Sequence, residues 1–231
     1  MEGSMNTAKI LNYLSDLEKN NNREWYQDHK LENKEACADF EELIQEFILS
    51  IGKTDNSILH NNPKNLTFKL IRDTRFSNDK SPYNPTFRAH ISSQGKLPIP
   101  VGYFISIHPG NRSFIGGGLF AAMFKETTTL IRDYISNNGA EWQSIITDKV
   151  FAETFEVKGD ALKNVPRGYD SAHPQAEFLK NASWYLEYPV SDELILDCDN
   201  FLVKATEKFV VMQPFNAFLN KALEGFEMPK R

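Results

Sequence analysis

Apolar residues recur along this chain with two different periods. Over residues 7–20, Ile10, Leu11, Leu14 and Leu17 share one face at helical spacing. Asn20-Asn21-Asn22 stops that run and can cap a second helix opening at Arg23-Glu24-Trp25. Phe40, Leu43, Ile44, Phe47, Ile48 and Ile51 form a stronger helical stripe that ends at Gly52. After Pro63 the period drops to two. Leu66–Leu70, Phe87–Ile91 and Val101–Ile107 alternate and are predicted as strands with one buried face. Pro109-Gly110-Asn111 predicts a turn, so 101–108 and 112–117 should form a hairpin whose second strand ends at Gly116-Gly117-Gly118.

Helical spacing returns at 126–138 and again, more briefly, at 140–148. A weak strand is expected at Phe155–Val157 and a firmer one at Ser183–Tyr188. Ser191 then caps a long helix reaching Val211, and Pro214 is expected to open a last one. Helices, consecutive strands and helices again, with short strand connections, predict an α+β fold. Its mainly antiparallel central sheet packs against N-terminal and C-terminal helices. With no linker and no repeat, 1–231 is expected to be a single domain, and residues 1–5 a disordered or appended leader.

Composition narrows the class. At 231 residues roughly 70–75% of the unfolded surface can be buried, so no metal or disulfide is needed for a core. Cys37 and Cys198 are isolated on apolar stripes, which predicts structural thiols in a reduced, cytoplasmic setting. No apolar run approaches the ~20 residues of a membrane span, and no secretory leader is visible. The net charge of −5 argues against general nucleic-acid binding. It is unevenly spread. Residues 64–96 hold Lys64, Lys69, Arg72, Arg75, Lys80, Arg88 and Lys96 against only Asp73 and Asp79, a surplus of five that leaves −10 elsewhere. A basic stretch in an acidic chain is where an anion site is sought.

The densest chemistry lies in Arg72-Asp73-Thr74-Arg75-Phe76-Ser77-Asn78-Asp79-Lys80-Ser81-Pro82-Tyr83, on a connection between two predicted strands. Arg72, Arg75 and Lys80 can bind a carboxylate or phosphate, the arginines in bidentate fashion. Asp73 and Asp79 are the candidate bases, and Tyr83 a candidate hydrogen-bond donor. Asn21, Arg23 and Trp25 are candidates to line the same site, with capping and core packing as the plainer account of them. An internal ion-pair network that merely pins the loop explains the charges equally well. His173, beside Pro174, is a weaker acid or base candidate. The five histidines lack close ligand spacing, so neither a metal nor a cofactor is expected. The partner these residues suggest is a small anionic ligand.

This segment resembles the R-D-x-R-F-S-x-D-K-x-P-Y motif of a bacterial family, domain of unknown function 2461. Asn20–Trp25, Gly102–Gly118, Pro166–Pro174 and Pro214–Leu219 are similar to its other blocks, in the same order. Asn78 and Asn84 stand where many members would carry lysine, which makes this copy less basic. The resemblance implies a family and no particular activity. An enzyme acting on a phosphate- or carboxylate-bearing small molecule, a small-anion binder and an interaction module with a purely structural motif therefore all stay open.

Overall fold

The first apolar stripe becomes α1 (Thr7–Lys19), whose Ile10, Leu11, Leu14 and Leu17 are buried. The three asparagines after it divide the work. Asn20 ends α1, its side chain donating to the Asp16 carbonyl. Asn22 caps α2 (Arg23–Asp28) by accepting from the Trp25 amide. Asn21 is left for a distant contact described below. The remaining elements of this computed structural model are α3 (Lys30–Ile51), α4 (Pro63–Leu66), β1 (Phe87–Ile91), β2 (Tyr103–Ile107), β3 (Ser113–Leu119), α5 (Lys125–Asn137), α6 (Gly139–Ile146), α7 (Lys149–Thr154), α8 (Ala176–Leu179), β4 (Trp184–Val190), α9 (Asp192–Leu196) and α10 (Cys198–Ala222). The structure describes residues 5–120 and 124–229. The expectation about the N-terminal leader lies, up to residue 4, outside them. The four strands form one antiparallel sheet in the order β1-β2-β3-β4, and the α+β class holds.

The chain clusters into two compact units. The first takes in Met1–Lys96, Phe104–Ile115 and Pro189–Glu207. In it α3 packs along α1 and reaches β1 and α4. Phe40 stacks on Phe87 at 5.3 Å, and Phe47 meets Phe201 edge-on at 5.7 Å. The second takes in Leu97–Tyr103, Gly116–Tyr188 and Lys208–Arg231. Its core centres on Trp142, which is fully buried among Phe178, Phe215 and Phe218 with ring centroids 5.1–5.7 Å away. Asn220 clasps the Val101 backbone there, accepting from its amide and donating to its carbonyl.

Several expectations are corrected. The segment 66–70 is not a strand. Asn62 and Pro63 start the helical turn α4, and beyond it pairing is reduced to single bridges at Thr67–Ala89 and Ile71–Tyr83. Pro82, opposite Arg72, has no N–H to return, so the pairing does not extend past Ile71. β3 does not end within Gly116-Gly117-Gly118 but runs through the three glycines to Leu119. Within it Gly118 takes φ +88°, and a Cβ there would stand 2.4 Å from the Trp184 carbonyl oxygen. Phe155–Val157 is not a strand either, because Asp148 caps α7 and Phe155 closes that helix. The long C-terminal helix breaks earlier than expected. Asp197 ends α9 and its carboxylate accepts from the Asn200 amide at the start of α10. Pro214 then opens nothing, since α10 passes straight through it. Phe209, Met212, Phe215 and Leu219 are fully buried on either side of the proline. That packing outweighs a mid-helix proline cost of ~3 kcal/mol. Among the described residues no helix is long and apolar enough to cross a membrane.

Candidate functional site

The Arg72–Tyr83 segment is a loop clamped at its base. Ile71 bridges Tyr83, the Arg72 amide donates to the Pro82 carbonyl at 2.9 Å, and the Asn84 amide to the Leu70 carbonyl at 2.7 Å. Asn21 holds the same point from 62 residues away. Its Nδ2 donates to the Tyr83 carbonyl at 2.9 Å and its Oδ1 accepts from the Tyr83 amide at 3.1 Å. The buried Tyr83 ring stacks on Tyr26 of α2, with centroids 4.1 Å apart. Tyr83 is therefore part of the loop's root, and its backbone and ring are occupied there.

Above this root the charges are paired with their neighbours. Arg72 binds the Asp79 carboxylate through Nη1 and reaches the Ser77 hydroxyl through Nη2 at 3.3 Å. Arg75 lies against Asp73, with Nε 2.9 Å from Oδ1 and Nη2 2.6 Å from Oδ2. The Lys80 ammonium donates to the Thr74 carbonyl at 3.0 Å. None of this is sequestered from water. The Arg75 side chain is 77% exposed, both carboxylates are 58% exposed, and Phe76 at the tip is 96% exposed.

The two carboxylates are held in their ionised form. The Ser81 hydroxyl and the Arg72 guanidinium beside Asp79 keep its carboxyl well below the usual carboxylate range. The Arg75 guanidinium does the same for Asp73. A general base works best with a pKa near the operating pH, so both are displaced in the unhelpful direction.

Of the other candidates, Arg23 is exposed at the first turn of α2. Trp25 joins a different feature, a cleft that also takes in Tyr13 of α1 and His29 at the start of α3. It is Tyr26, the next residue, that reaches the loop. His173 has both ring nitrogens engaged: Nδ1 accepts from the Gln175 amide at 3.0 Å, which leaves Nε2–H to donate to the Ser136 carbonyl at 3.1 Å. The cysteines are half-buried and unpaired, and burial pushes the Cys37 thiol up to about 11. Among the described residues no group of three or more His, Cys, Asp or Glu side chains is placed to hold a metal ion.

Sequence reasoning placed Asn21 near the loop only as the alternative to a capping role, and its clasp on Tyr83 was not foreseen. It also missed the cleft. The one available signal was the polar stripe Lys9, Asn12 and Asp16, which spaces like the apolar stripe of α1 on its other side.

Residues 9–218 match the family described as conserved hypothetical protein (DUF2461), and the chain belongs to that family. No curated protein and no solved structure matches it.

Proposed function

We propose that this chain is a binding protein whose Arg72–Tyr83 loop recognises an anionic partner, a carboxylate or phosphate group. The observation that carries the reading is a set of exposed cations with donors to spare on a loop fastened at its root. Lys80 spends one of its three N–H donors on Thr74, and Arg75 keeps its Nη1 edge outside the contact with Asp73. Exposed ion pairs are worth only about 0–1 kcal/mol, so an incoming anion can replace or join them cheaply. The neighbouring Asp73 and Asp79 orient the guanidiniums. Their lowered pKa values favour this role over proton abstraction, which sets the binding reading ahead of the enzymatic one with Asp79 or Asp73 as base. The reading places the protein in a reducing cytoplasm, where Cys37 and Cys198 stay unpaired.

The internal pairing itself favours a second reading, in which the ions only brace the loop of an interaction module. Calorimetric titration with inorganic pyrophosphate and with a tricarboxylate separates the two. Saturable binding that weakens about tenfold in Arg75→Ala or Lys80→Ala supports recognition. Equal or absent binding in wild type and variants overturns it, and a drop in stability in those variants then identifies bracing.

A further inference from the structure

The acidic counterpart of this basic loop is a cleft in the same compact unit. It has a volume of about 390 Å³, within the roughly 300–1,000 Å³ of small-molecule sites. One part of its lining is aromatic. Trp25 and His29 lie parallel with ring centroids 4.0 Å apart, and Tyr13 stands 5.9 Å from Trp25. The imidazole is fixed in place: Nδ1 lies 2.8 Å from the Trp25 carbonyl oxygen, so Nδ1–H donates to it. Asn33 fixes the phenol by donating to the Tyr13 hydroxyl at 2.9 Å.

Apart from Ala8 the rest of the lining is polar, and of its charged groups Asp16, Glu32 and Glu35 face the one lining ammonium, that of Lys9. Lys9 is already spoken for, 3.2 Å from Glu35 and 3.5 Å from Asp39. Asp16 in turn meets the Lys19 ammonium at 3.4 Å, with both side chains exposed to water. Three lining carboxylates thus stand against two ammoniums, and the cleft keeps an excess of negative charge beside an aromatic wall that attracts cations. The three carboxylates do not converge on one point, and no metal-holding cluster exists among the described residues. A compact divalent ion demands such convergence. A cation of diffuse charge and apolar shell does not: it takes its stabilisation from rings at contact distance and carboxylates further out.

We infer that this cleft binds a small organic cation of the quaternary or alkylated ammonium class. The aromatic side, Trp25 and His29 backed by the buried Tyr13, meets the apolar shell of the ammonium. Asp16 and Glu32 supply the field that selects positive charge. The inference is independent of the loop's anion recognition, because the two use different residues and opposite charge.

The test is calorimetric titration of the full chain with choline, tetramethylammonium and benzyltrimethylammonium chlorides. 3,3-Dimethylbutan-1-ol serves as the neutral, shape-matched control for choline. Trp142 and Trp184 are fully buried, so tryptophan fluorescence responding to an added ligand reports on Trp25. Saturable binding of at least one ammonium, with the neutral analogue about tenfold weaker or worse, is the expected result. Trp25→Ala removes the binding, and the Asp16→Asn/Glu32→Gln pair weakens it about tenfold, with unchanged circular dichroism. The carboxylate pair serves alone if Trp25→Ala fails to fold. No saturable binding of any of the three ammonium ions, or equal affinity for the neutral analogue, overturns the assignment. So does binding indifferent to the carboxylate pair.

Discussion

In the Arg72–Tyr83 loop every cation meets a partner no more than seven residues away along the chain. In the cleft beside it the charges and rings come from three helices, and its carboxylates stand apart from one another. The first arrangement announces itself in the sequence, because mutual satisfaction between close neighbours makes a dense motif. The second leaves almost no trace, because residues 6–35 contribute to it one at a time between core positions. Conspicuous charge thus marks a place where near neighbours compensate one another, while the cleft's net negative charge is assembled where the sequence looks ordinary. The loop's fixity comes from its root, where Tyr83 is gripped by Asn21 and Tyr26, and the ions above it add direction more than stability.

That contrast can be broken first at the root. Tyr83→Ala empties a buried ring site against Tyr26 and should cost about 3 kcal/mol in urea unfolding, in line with large-to-small aromatic changes. A loss no larger than an exposed ion pair's would sink the idea that the root holds the loop. Asn21→Ala is the next largest effect. It removes both hydrogen bonds to the Tyr83 backbone and should cost about 1–3 kcal/mol. It should also speed proteolysis between Arg72 and Pro82; an unchanged cleavage rate would show that the clasp is not what fastens the loop.

The smallest effect belongs to the ions. Asp73→Asn and Asp79→Asn should lower the urea midpoint at pH 7 only slightly, since both groups are water-exposed. The signature is in acid. Both carboxyls are depressed in the folded chain, so their contribution is present above the ordinary aspartate pKa near ~3.9 and is lost as pH falls through that value toward the folded one. A midpoint series from pH 7 to pH 2 should therefore fall less steeply in either variant than in wild type. Identical acid limbs would mean that the pairs persist in the unfolded chain or never formed.

Much of the fold was legible before any coordinates. α1, α3, α5, β1, β2 and β4 follow from period alone, since a helix or strand that must bury one face carries that period in its apolar residues. The misreadings sit where a local rule met a tertiary one. Pro214 obeys the local rule as a helix opener, yet the buried aromatics flanking it carry α10 across. Leu66–Leu70 alternates like a strand, yet Asn62 and Pro63 wind its start into the helical turn α4.

The same division runs through the function. By itself the sequence determined the family, the α+β class, the basic stretch and the residues of the loop, because each is written in near-neighbour spacing. Only the tertiary structure decided that Asn21 and Tyr26 grip Tyr83 and that Trp25 turns away to meet Tyr13 and His29. It also decided that Asp73 and Asp79 face their own arginines in open water. Those facts depend on which helix faces come together, and a chain's spacing does not record contacts made across tens of residues.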